Sequence, residues 1–311
     1  MSKKAFFFID DVIWVFRDLT RQRPASIFEH HFLKSLKETH DKTGLKVQMN
    51  LFYRTDYFYG NDEFSLADMT DAYKAEFEAN SDWLKFAFHA KEEFPDYPNI
   101  NADYQDIKDL FLAMEREVIR FAGENSWAKK ALCTHWLPLS KDACKALKDC
   151  GTEMVCCTYG EVEEYNGDVN SLPYGHAARL LQNRKPETKV FFRKSRDVAI
   201  SYSACGWNHL TEAQWEATKT TLDAIKDEET GLWFKVYCNT GTINLCENFE
   251  QVREDIVPAL DNEYLGFLIH EQYYYPDYYA YQPDAAAKID LAATLIADAG
   301  FEFVNGEDLI G

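Results

Sequence analysis

Residues 5–11 read AFFFIDD, five apolar residues that run directly into two adjacent acids. An unbroken apolar run is typical of a strand in a parallel sheet whose two faces are both covered. Acids at the end of such a strand are costly to bury unless they are paired, hydrogen-bonded or bound to a metal. The stretch therefore predicts a buried first strand with functional carboxylates, Asp10 and Asp11, at its carboxyl end. A helix cap or a surface turn is the alternative.

Strand-like and helix-like segments alternate outward from this stretch. The predicted strands are residues 5–9, 45–53, 84–88, 131–134, 154–158, 266–269 and 301–304. The predicted helices are residues 26–43, 64–81, 106–121, 140–147 and 284–299. This alternation predicts an α/β fold with a parallel sheet and right-handed crossovers. We expect one domain over residues 1–311, a TIM-like barrel that is seven-stranded or incomplete; an open doubly wound sheet is the second choice.

The alternation is interrupted between about residues 160 and 262. Residues 189–193 with 198–202, and 232–237 with 243–246, are predicted as strand pairs, the second around the turn signal of residues 239–241. Residues 211–225 are predicted to be helical. We expect a β-rich insertion within the barrel that forms a wall or lid over the site. A surface elaboration without a role is the alternative.

Composition excludes several classes of function. The chain of 311 residues carries 33 basic and 52 acidic residues, so its net charge is 33 − 52 = −19. A field of that sign repels nucleic acid and anionic membranes. The sequence shows neither a signal peptide nor an apolar run near the roughly 18 residues that span a bilayer. The eight cysteines form no CxxC pair and are expected as buried thiols of a cytoplasmic protein.

Polar residues of catalytic type follow the predicted strands at their carboxyl ends. They are Asp10 and Asp11; Tyr53, Arg54, Thr55 and Asp56; His89; His135 and Trp136; and His270, Glu271 and Gln272. In a barrel these ends meet on one face, where the active sites of such barrels lie. We therefore predict that these residues form one site.

Two of these histidines suggest metal binding. His89 is followed four residues later by Glu93, and a helical turn there would place both on one face. With His135, these nitrogen and oxygen ligands suit a divalent ion, zinc first of all. A core histidine bonded to a backbone carbonyl is the alternative for His89, and a solvated acid for Glu93. His135 and His270 have the same structural alternative.

Residues 273–281 read YYYPDYYAY, with six tyrosines in nine positions. Tyrosine combines a flat apolar face with a hydroxyl group, which matches the faces and edges of sugar rings. The expected substrate contacts are Arg54, Trp136, Glu271, Tyr273 and Tyr275. A packed loop or a contact within a homo-oligomer is the alternative for this stretch. The sequence contains no nucleotide-binding glycine motif and no GxSxG elbow.

The order of these residues resembles the polysaccharide deacetylases, metal-dependent carbohydrate esterases of the NodB-homology type. The resemblance rests on the Asp10-Asp11 pair, on His89 with a ligand-type residue four positions later, and on the Leu268-Ile269-His270 strand end. It implies a barrel-type fold. It further implies Asp10 as general base, His270 as general acid, and Asp11 and His89 as metal ligands, with Glu93 where the family has a second histidine.

Three functions follow from the sequence. The first is a metal-dependent hydrolase that removes N- or O-acyl groups from a carbohydrate. The second is a glycoside hydrolase that uses two of Asp10, Asp11, Asp56 and Glu271 as its carboxylate pair. The third is a sugar-binding protein that has kept the site and lost the chemistry.

Overall fold

The computed structural model describes residues 3–55, 63–93, 97–157, 161–164, 191–195 and 211–310. Its strands are β1 (Lys4–Val12), β2 (Val47–Phe52), β3 (Leu84–Ala90), β4 (Ala131–Leu132), β5 (Met154–Cys156), β6 (Glu161–Glu164), β7 (Phe191–Ser195), β8 (Ile225–Lys226), β9 (Trp233–Lys235), β10 (Tyr264–His270) and β11 (Glu302–Phe303). Its α-helices are α1 (Trp14–Gln22), α2 (His31–Thr43), α3 (Lys74–Ala79), α4 (Tyr104–Ala122), α5 (Lys141–Asp149), α6 (Glu212–Lys219), α7 (Phe249–Ile256) and α8 (Ala285–Asp298).

Nine of these strands form two mostly parallel sheets, and β6 and β7 form a separate antiparallel pair. The first has the order β10-β1-β2-β3, all parallel, and β11 pairs with the start of β1. The second has the order β4-β5-β9-β8, in which only β8 is antiparallel. The register places Asp10 directly beside His270. The predicted α/β fold with a parallel sheet is thus confirmed.

The two sheets are joined by backbone hydrogen bonds at both edges. The Ala128 N–H donates to the carbonyl oxygen of Phe86 at 2.7 Å, which connects β3 with the approach to β4. On the other side, the Asn239 N–H donates to the carbonyl oxygen of Gly266 at 3.1 Å, which connects β10 with the chain after β9. A Cβ at Gly266 would overlap the Tyr237 carbonyl oxygen, so glycine is required for this close approach.

Alternate residues of β1 face two different cores. Phe7 and Ile9 pack with the helices in the larger core. Phe6 and Phe8 point the other way, into a smaller core that also contains Ala131, Cys133, Met154, Cys156, Tyr237, Tyr264, Val304 and Leu309. Because side chains alternate along a strand, Asp10 lies on the same side as Phe6 and Phe8. The carboxylate is therefore placed at the end of the smaller core, between the two sheets.

Most of the predicted helices are present. Helix α2 ends at Gly44, whose φ of 75° is the left-handed torsion that favours glycine at this position. Helix α5 begins after Ser140, whose side-chain oxygen accepts a hydrogen bond from the Ala143 N–H. The sequence did not indicate α1 or α7.

Two helix predictions were too long. Residues 64–81 form a single 3₁₀ turn, Leu66–Asp68, and the short helix α3. Residues 211–225 are helical only to Lys219, because the carbonyl oxygens of Thr218, Thr221 and Asp223 accept hydrogen bonds from the buried Lys235 ammonium. These bonds end the helix, and Ile225 lies in β8, where it pairs with Phe234 of β9.

The strand pair predicted around residues 239–241 is wrong. Strand β9 pairs instead with β5 and β8, and Ile243–Leu245 is a 3₁₀ turn. The Asn239 side chain donates to the carbonyl oxygens of Lys219 and Tyr264, which ties this segment to β10. The other predicted pair joined residues 189–193 to residues 198–202, and the second of these segments lies outside the described residues. Residues 191–195 form β7, which pairs with β6 at residues 161–164. None of the described helices is long and apolar enough to cross a membrane.

Candidate metal centre and its cavity

A backbone irregularity brings Asp10 and Asp11 to one site. Adjacent strand residues normally face opposite sides of a sheet. The β1–β2 register shifts between Ile9 and Val12, and Asp11 has a φ of +63°. Such a bulge re-aims a side chain, and aspartate tolerates the left-handed torsion better than most residues. Both carboxylates consequently line the same cavity.

Three buried side chains converge on a small triangle of ligand atoms. Asp11 Oδ1 lies 3.1 Å from His89 Nε2 and 3.2 Å from His135 Nδ1. The two ring nitrogens are 3.2 Å apart. All three residues are buried, and among the described residues only they form a cluster of this kind.

Backbone carbonyls set the tautomers of both histidines. His89 Nδ1 lies 2.6 Å from the Cys133 carbonyl oxygen, and His135 Nε2 lies 3.0 Å from the Glu93 carbonyl oxygen. A carbonyl oxygen can only accept, so these nitrogens carry the protons in the neutral rings. The remaining nitrogens, His89 Nε2 and His135 Nδ1, present lone pairs to each other and to Asp11. Hydrogen bonding of the outer nitrogen to a carbonyl is the usual support of a metal-ligating histidine.

The triangle fits a divalent cation. Ligands about 2.0–2.1 Å from a tetrahedral zinc ion stand about 3.3 Å from one another, close to the separations of 3.1 and 3.2 Å observed. Three acceptor atoms at this spacing repel one another unless a cation or a proton lies among them. Asp11, His89 and His135 can therefore supply three of the four ligands of a tetrahedral site.

The pKa shifts of Asp11 and His135 favour the deprotonated forms that a metal ion requires, whereas the shift of His89 favours its protonated form. Burial opposes the charge of Asp11, but the adjoining rings of His135 and His89, which donate to its carboxylate when they are protonated, outweigh burial and hold the pKa of Asp11 well below its usual range. Burial lowers the pKa of His135. Burial opposes the charged form of His89 too, yet the charge of Asp10 and the bond with Asp11 raise its pKa. Cation binding would displace that proton, which makes binding pH-dependent.

Asp10 lies beside the triangle, at the end of a buried polar ladder. Its Oδ1 accepts a 2.7 Å hydrogen bond from Asn50 Nδ2. The Asn50 oxygen in turn accepts from Gln48, whose amide also donates to the Ala131 carbonyl oxygen. No hydrogen bond to Asp10 Oδ2 comes from the described residues. Burial raises the pKa of Asp10, against the charges of His89 and His270.

His270 borders the cavity from β10. Its Nδ1 lies 3.0 Å from Asn244 Oδ1, which also accepts the His270 backbone N–H. This bond places the proton on Nδ1 of the neutral ring and leaves Nε2 facing the site, 4.0 Å from Asp11 Oδ2. His270 therefore has an available nitrogen on the cavity side.

Glu93 lies next to the triangle but outside the ligand cluster. Its Oε2 accepts a 3.1 Å hydrogen bond from Gln272 Nε2, and the same nitrogen donates to Asp11 Oδ2 at 3.1 Å. Its backbone oxygen is the one that orients His135. Glu93 thus contacts the site through its carboxylate and through its backbone carbonyl oxygen.

Glu271 is fully buried and faces away from the cavity. Its carboxylate accepts the backbone N–H groups of Ile13, Trp14 and Val15 at 2.7, 2.8 and 2.7 Å. It thereby caps the N-terminus of α1 and ties it to the end of β10. Burial raises the pKa of Glu271 to about 7, although these bonds act to lower it.

The predicted substrate contacts divide into two groups. Trp136 and Tyr273 line the cavity. Arg54 is exposed and paired with Glu92, and Tyr275 is buried with its hydroxyl donating to Glu271; neither is among the described residues that line the cavity. Asp56 lies outside the described residues.

The cavity has a volume of about 930 Å³. Its acidic lining residues are Asp10, Asp11, Glu93, Glu254 and Asp255, and its aromatic ones are Phe8, Trp136, Trp215, Tyr237, Tyr273, Tyr278 and Tyr279. Its described lining contains no lysine and no arginine. Cavities for small molecules run about 300–1,000 Å³, so this one is at the upper end.

Three side chains that orient the site, those of Gln48, Asn50 and Asn244, were not predicted from the sequence. Gln48 and Asn50 alternate with apolar residues along β2, and this period of two in a buried strand could have marked a polar face. Gln272 lies among the residues predicted to form the site, but the sequence indicates no role for its amide. Asn244 lies in a 3₁₀ turn far from His270 in sequence, and no sequence signal links them.

No family model matches the chain, and no curated protein matches it. Among solved structures, it is similar to the Xyl-CE4 domain of a multidomain xylanase from the hindgut metagenome of Trinervitermes trinervoides. The match covers 99% of this chain and 90% of that one, with 7% identity and a TM-score of 0.43. A similarity of this size says nothing about activity.

Proposed function

We propose that this protein is a metal-dependent hydrolase that removes acyl groups from a carbohydrate. The observation that carries the proposal is the triangle of Asp11, His89 and His135, with both lone pairs directed inward by backbone carbonyls. Asp10 and His270 border this triangle in the same cavity. This combination of ligand atoms with an acid and a base suits hydrolysis.

The three ligands would hold a divalent cation, zinc by our proposal. Such a cation supplies Lewis-acid polarisation of an acyl carbonyl and a water of lowered pKa. Asp10 acts as the general base: Asn50 fixes Oδ1, and Oδ2 takes the proton of the attacking water. His270 acts as the general acid in its doubly protonated form: it gives the proton on Nε2 to the leaving nitrogen or oxygen and keeps the proton on Nδ1. Asn244 keeps its ring in place for that transfer.

The carbohydrate part of the proposal is supported by the aromatic residues at the cavity. Tyr273 and Tyr278 have ring centroids 5.2 Å apart, and Tyr278 and Tyr279 4.6 Å apart. Tyr279 is 60% exposed. The three rings extend from the neighbourhood of His270 to solvent, and sugar rings bind such surfaces by their C–H faces.

Three further parts of the proposal concern the molecule as a whole. The bonds between the two sheets support a closed, barrel-type arrangement within a single domain, with residues 160–262 as an elaboration that also contributes β9 to the second sheet. The seven free cysteines among the described residues fit a reducing, cytoplasmic location.

The alternative that the protein is a glycoside hydrolase is weakened, because the Glu271 carboxylate already accepts hydrogen bonds from three backbone N–H groups.

Metal analysis combined with hydrolysis assays tests the proposed function. Protein purified without chelator should contain about one divalent ion per chain, and a His135→Gln variant should contain far less. His31→Gln, which changes a histidine outside the cavity, is the matched control. The wild type should release acetate from acylated sugars, lose this activity with a chelator, and regain it with zinc. A sugar-binding protein without activity would bind the sugars and release nothing.

A further inference from the structure

Gln272 contacts the candidate metal centre and has no role in the chemistry described above. It follows His270 and Glu271 in the 3₁₀ turn after β10 and is 5% exposed. Its Nε2 donates one hydrogen bond to Asp11 Oδ2 and another to Glu93 Oε2, both at 3.1 Å. One amide group thus bridges two buried carboxylates.

The bridge determines which oxygen Asp11 offers to the triangle. Oδ1 faces the two histidine nitrogens, and Oδ2 is held by Gln272. A carboxylate whose second oxygen is hydrogen-bonded in this way contributes a single oxygen to a cation. This leaves more of the coordination sphere for other ligands.

The same amide acts on His135 through Glu93. The Glu93 side chain is held by Gln272, and the Glu93 backbone oxygen accepts the hydrogen bond that orients His135. Gln272 therefore supports one ligand directly and a second through one intervening residue.

The orientation of the amide has a cost elsewhere in the side chain. Gln272 Oε1 is buried and has no hydrogen-bond partner among the described residues. Buried polar atoms are nearly always paired, and exceptions tend to occur at functional sites. If the amide were rotated by 180°, Gln272 Oε1 would face the carboxylate oxygens of Asp11 and Glu93. All three atoms are acceptors, so neither carboxylate would receive a hydrogen bond.

We propose that Gln272 is a positioning residue of the metal centre, which holds Asp11 to one oxygen and stabilises the orientation of His135 through Glu93. The inference rests on the proposed function, since it assumes that the triangle binds a divalent cation. It predicts that Gln272 affects the coordination of the cation and the rate of hydrolysis more than the binding of substrate.

The test compares Gln272→Met with Gln214→Met in the full-length protein. Methionine has a similar length and no N–H donor, so it removes the bridge without leaving a large cavity. Gln214 lies in the capping box of α6, outside the described lining of the cavity, and controls for the general loss of a side-chain amide. The measurements are zinc affinity by competition with a chromophoric chelator, the visible spectrum of the cobalt-loaded protein, and kcat and KM on an acylated oligosaccharide.

We expect Gln272→Met to weaken zinc binding about 10–100-fold, to change the cobalt spectrum, and to lower kcat with little change in KM. Gln214→Met should change none of these. If Gln272→Met does not fold, Gln272→Asn provides the comparison, because its shorter amide cannot bridge both carboxylates. Wild-type zinc affinity and an unchanged cobalt spectrum in the variant would overturn the inference and leave the proposed function intact. A wild type that binds neither ion would overturn both.

Discussion

Asp11 lies at a φ of +63°, and this torsion places it beside Asp10 instead of on the opposite face of β1. The two acids then have different surroundings. Asp11 contacts two histidines, which hold its pKa low, whereas Asp10 contacts an asparagine and burial raises its pKa. Two neighbouring carboxylates with pKa values shifted in opposite directions are suited to different roles, one as a ligand and one as a base.

Asp10→Asn tests the role of the base. The change is nearly isosteric, and the asparagine can still accept a hydrogen bond from Asn50 through its oxygen. We expect turnover to fall by roughly 10²–10⁴-fold, the usual contribution of a general base, while metal content and unfolding free energy stay close to wild type. Asp290→Asn, at an exposed ion pair, is the control. A variant that is less stable and fully active would show that Asp10 is a structural group only.

Glu93→Gln separates the two roles available to Glu93. If the carboxylate is a metal ligand, as the sequence predicts, its replacement by an amide should lower zinc affinity by orders of magnitude. If Glu93 acts through Gln272 and His135, the amide oxygen can still accept from Gln272, and the backbone oxygen is unchanged. We expect the second result, a change in zinc affinity of less than about tenfold, measured by chelator competition. Gln272→Met in the same titration should have the larger effect.

At the scale of elements, side chains at the end of β10 hold the segment between β1 and α1 in place. Glu271 caps α1 through three backbone N–H groups, and Gln272 holds Asp11 by its side chain. Together they hold the segment from the bulge to the first turn of α1. These side chains add to the parallel β1–β10 ladder, which already joins segments distant in sequence.

The sequence predicted the elements better than it predicted their connections. Continuous apolar runs marked β1, β3 and β10, because buried parallel strands leave no polar face. The position of the acids and histidines at strand ends followed from that pattern. The strand pair around residues 239–241 failed because the turn residues bond to β10. Such contacts depend on segments distant in sequence, and local turn signals do not contain them.

Glu271→Gln tests the link between β10 and α1. The folded pKa of about 7 lies above the ordinary value of 4.5, so the folded state binds the extra proton between these pH values. The stabilisation of the folded state by this proton is fully present below about pH 4.5. As the pH rises through 7, the unfolding free energy falls by about 3 kcal/mol. The variant lacks this titration and also loses at least one backbone hydrogen bond.

Denaturant unfolding of both proteins between pH 4.5 and pH 8 measures the effect. We expect the variant to be less stable at low pH, and the gap to narrow as the pH rises. KM for substrate should not change, because Glu271 does not line the cavity. Glu38→Gln, at an exposed helix position, should parallel wild type throughout. Equal pH profiles for wild type and Glu271→Gln would contradict the assignment of Glu271 as a buried cap.

At the scale of the whole molecule, charge and shape restrict the substrate together. The net charge is −19, and the described lining of the cavity holds five carboxylates and no lysine or arginine. A bound divalent cation would offset two of these charges. The rest of the wall, including Glu254 on α7, would still repel an anion and would favour an ammonium group.

We therefore expect neutral or amine-bearing acylated oligosaccharides to be better substrates than uronate-containing ones of equal length. At low salt, kcat/KM for the uronate oligomer should be lower by about tenfold, and the difference should shrink toward 1 M salt as charges are screened. Glu254→Gln should reduce the difference, whereas Glu250→Gln, on the same helix but outside the cavity lining, should not. A preference for the uronate oligomer at low salt would contradict the predicted order of substrates. Carboxylates in the cavity repel an anion, and the described lining has no lysine or arginine to attract it. Steady-state rates on the three substrates at two salt concentrations decide the question.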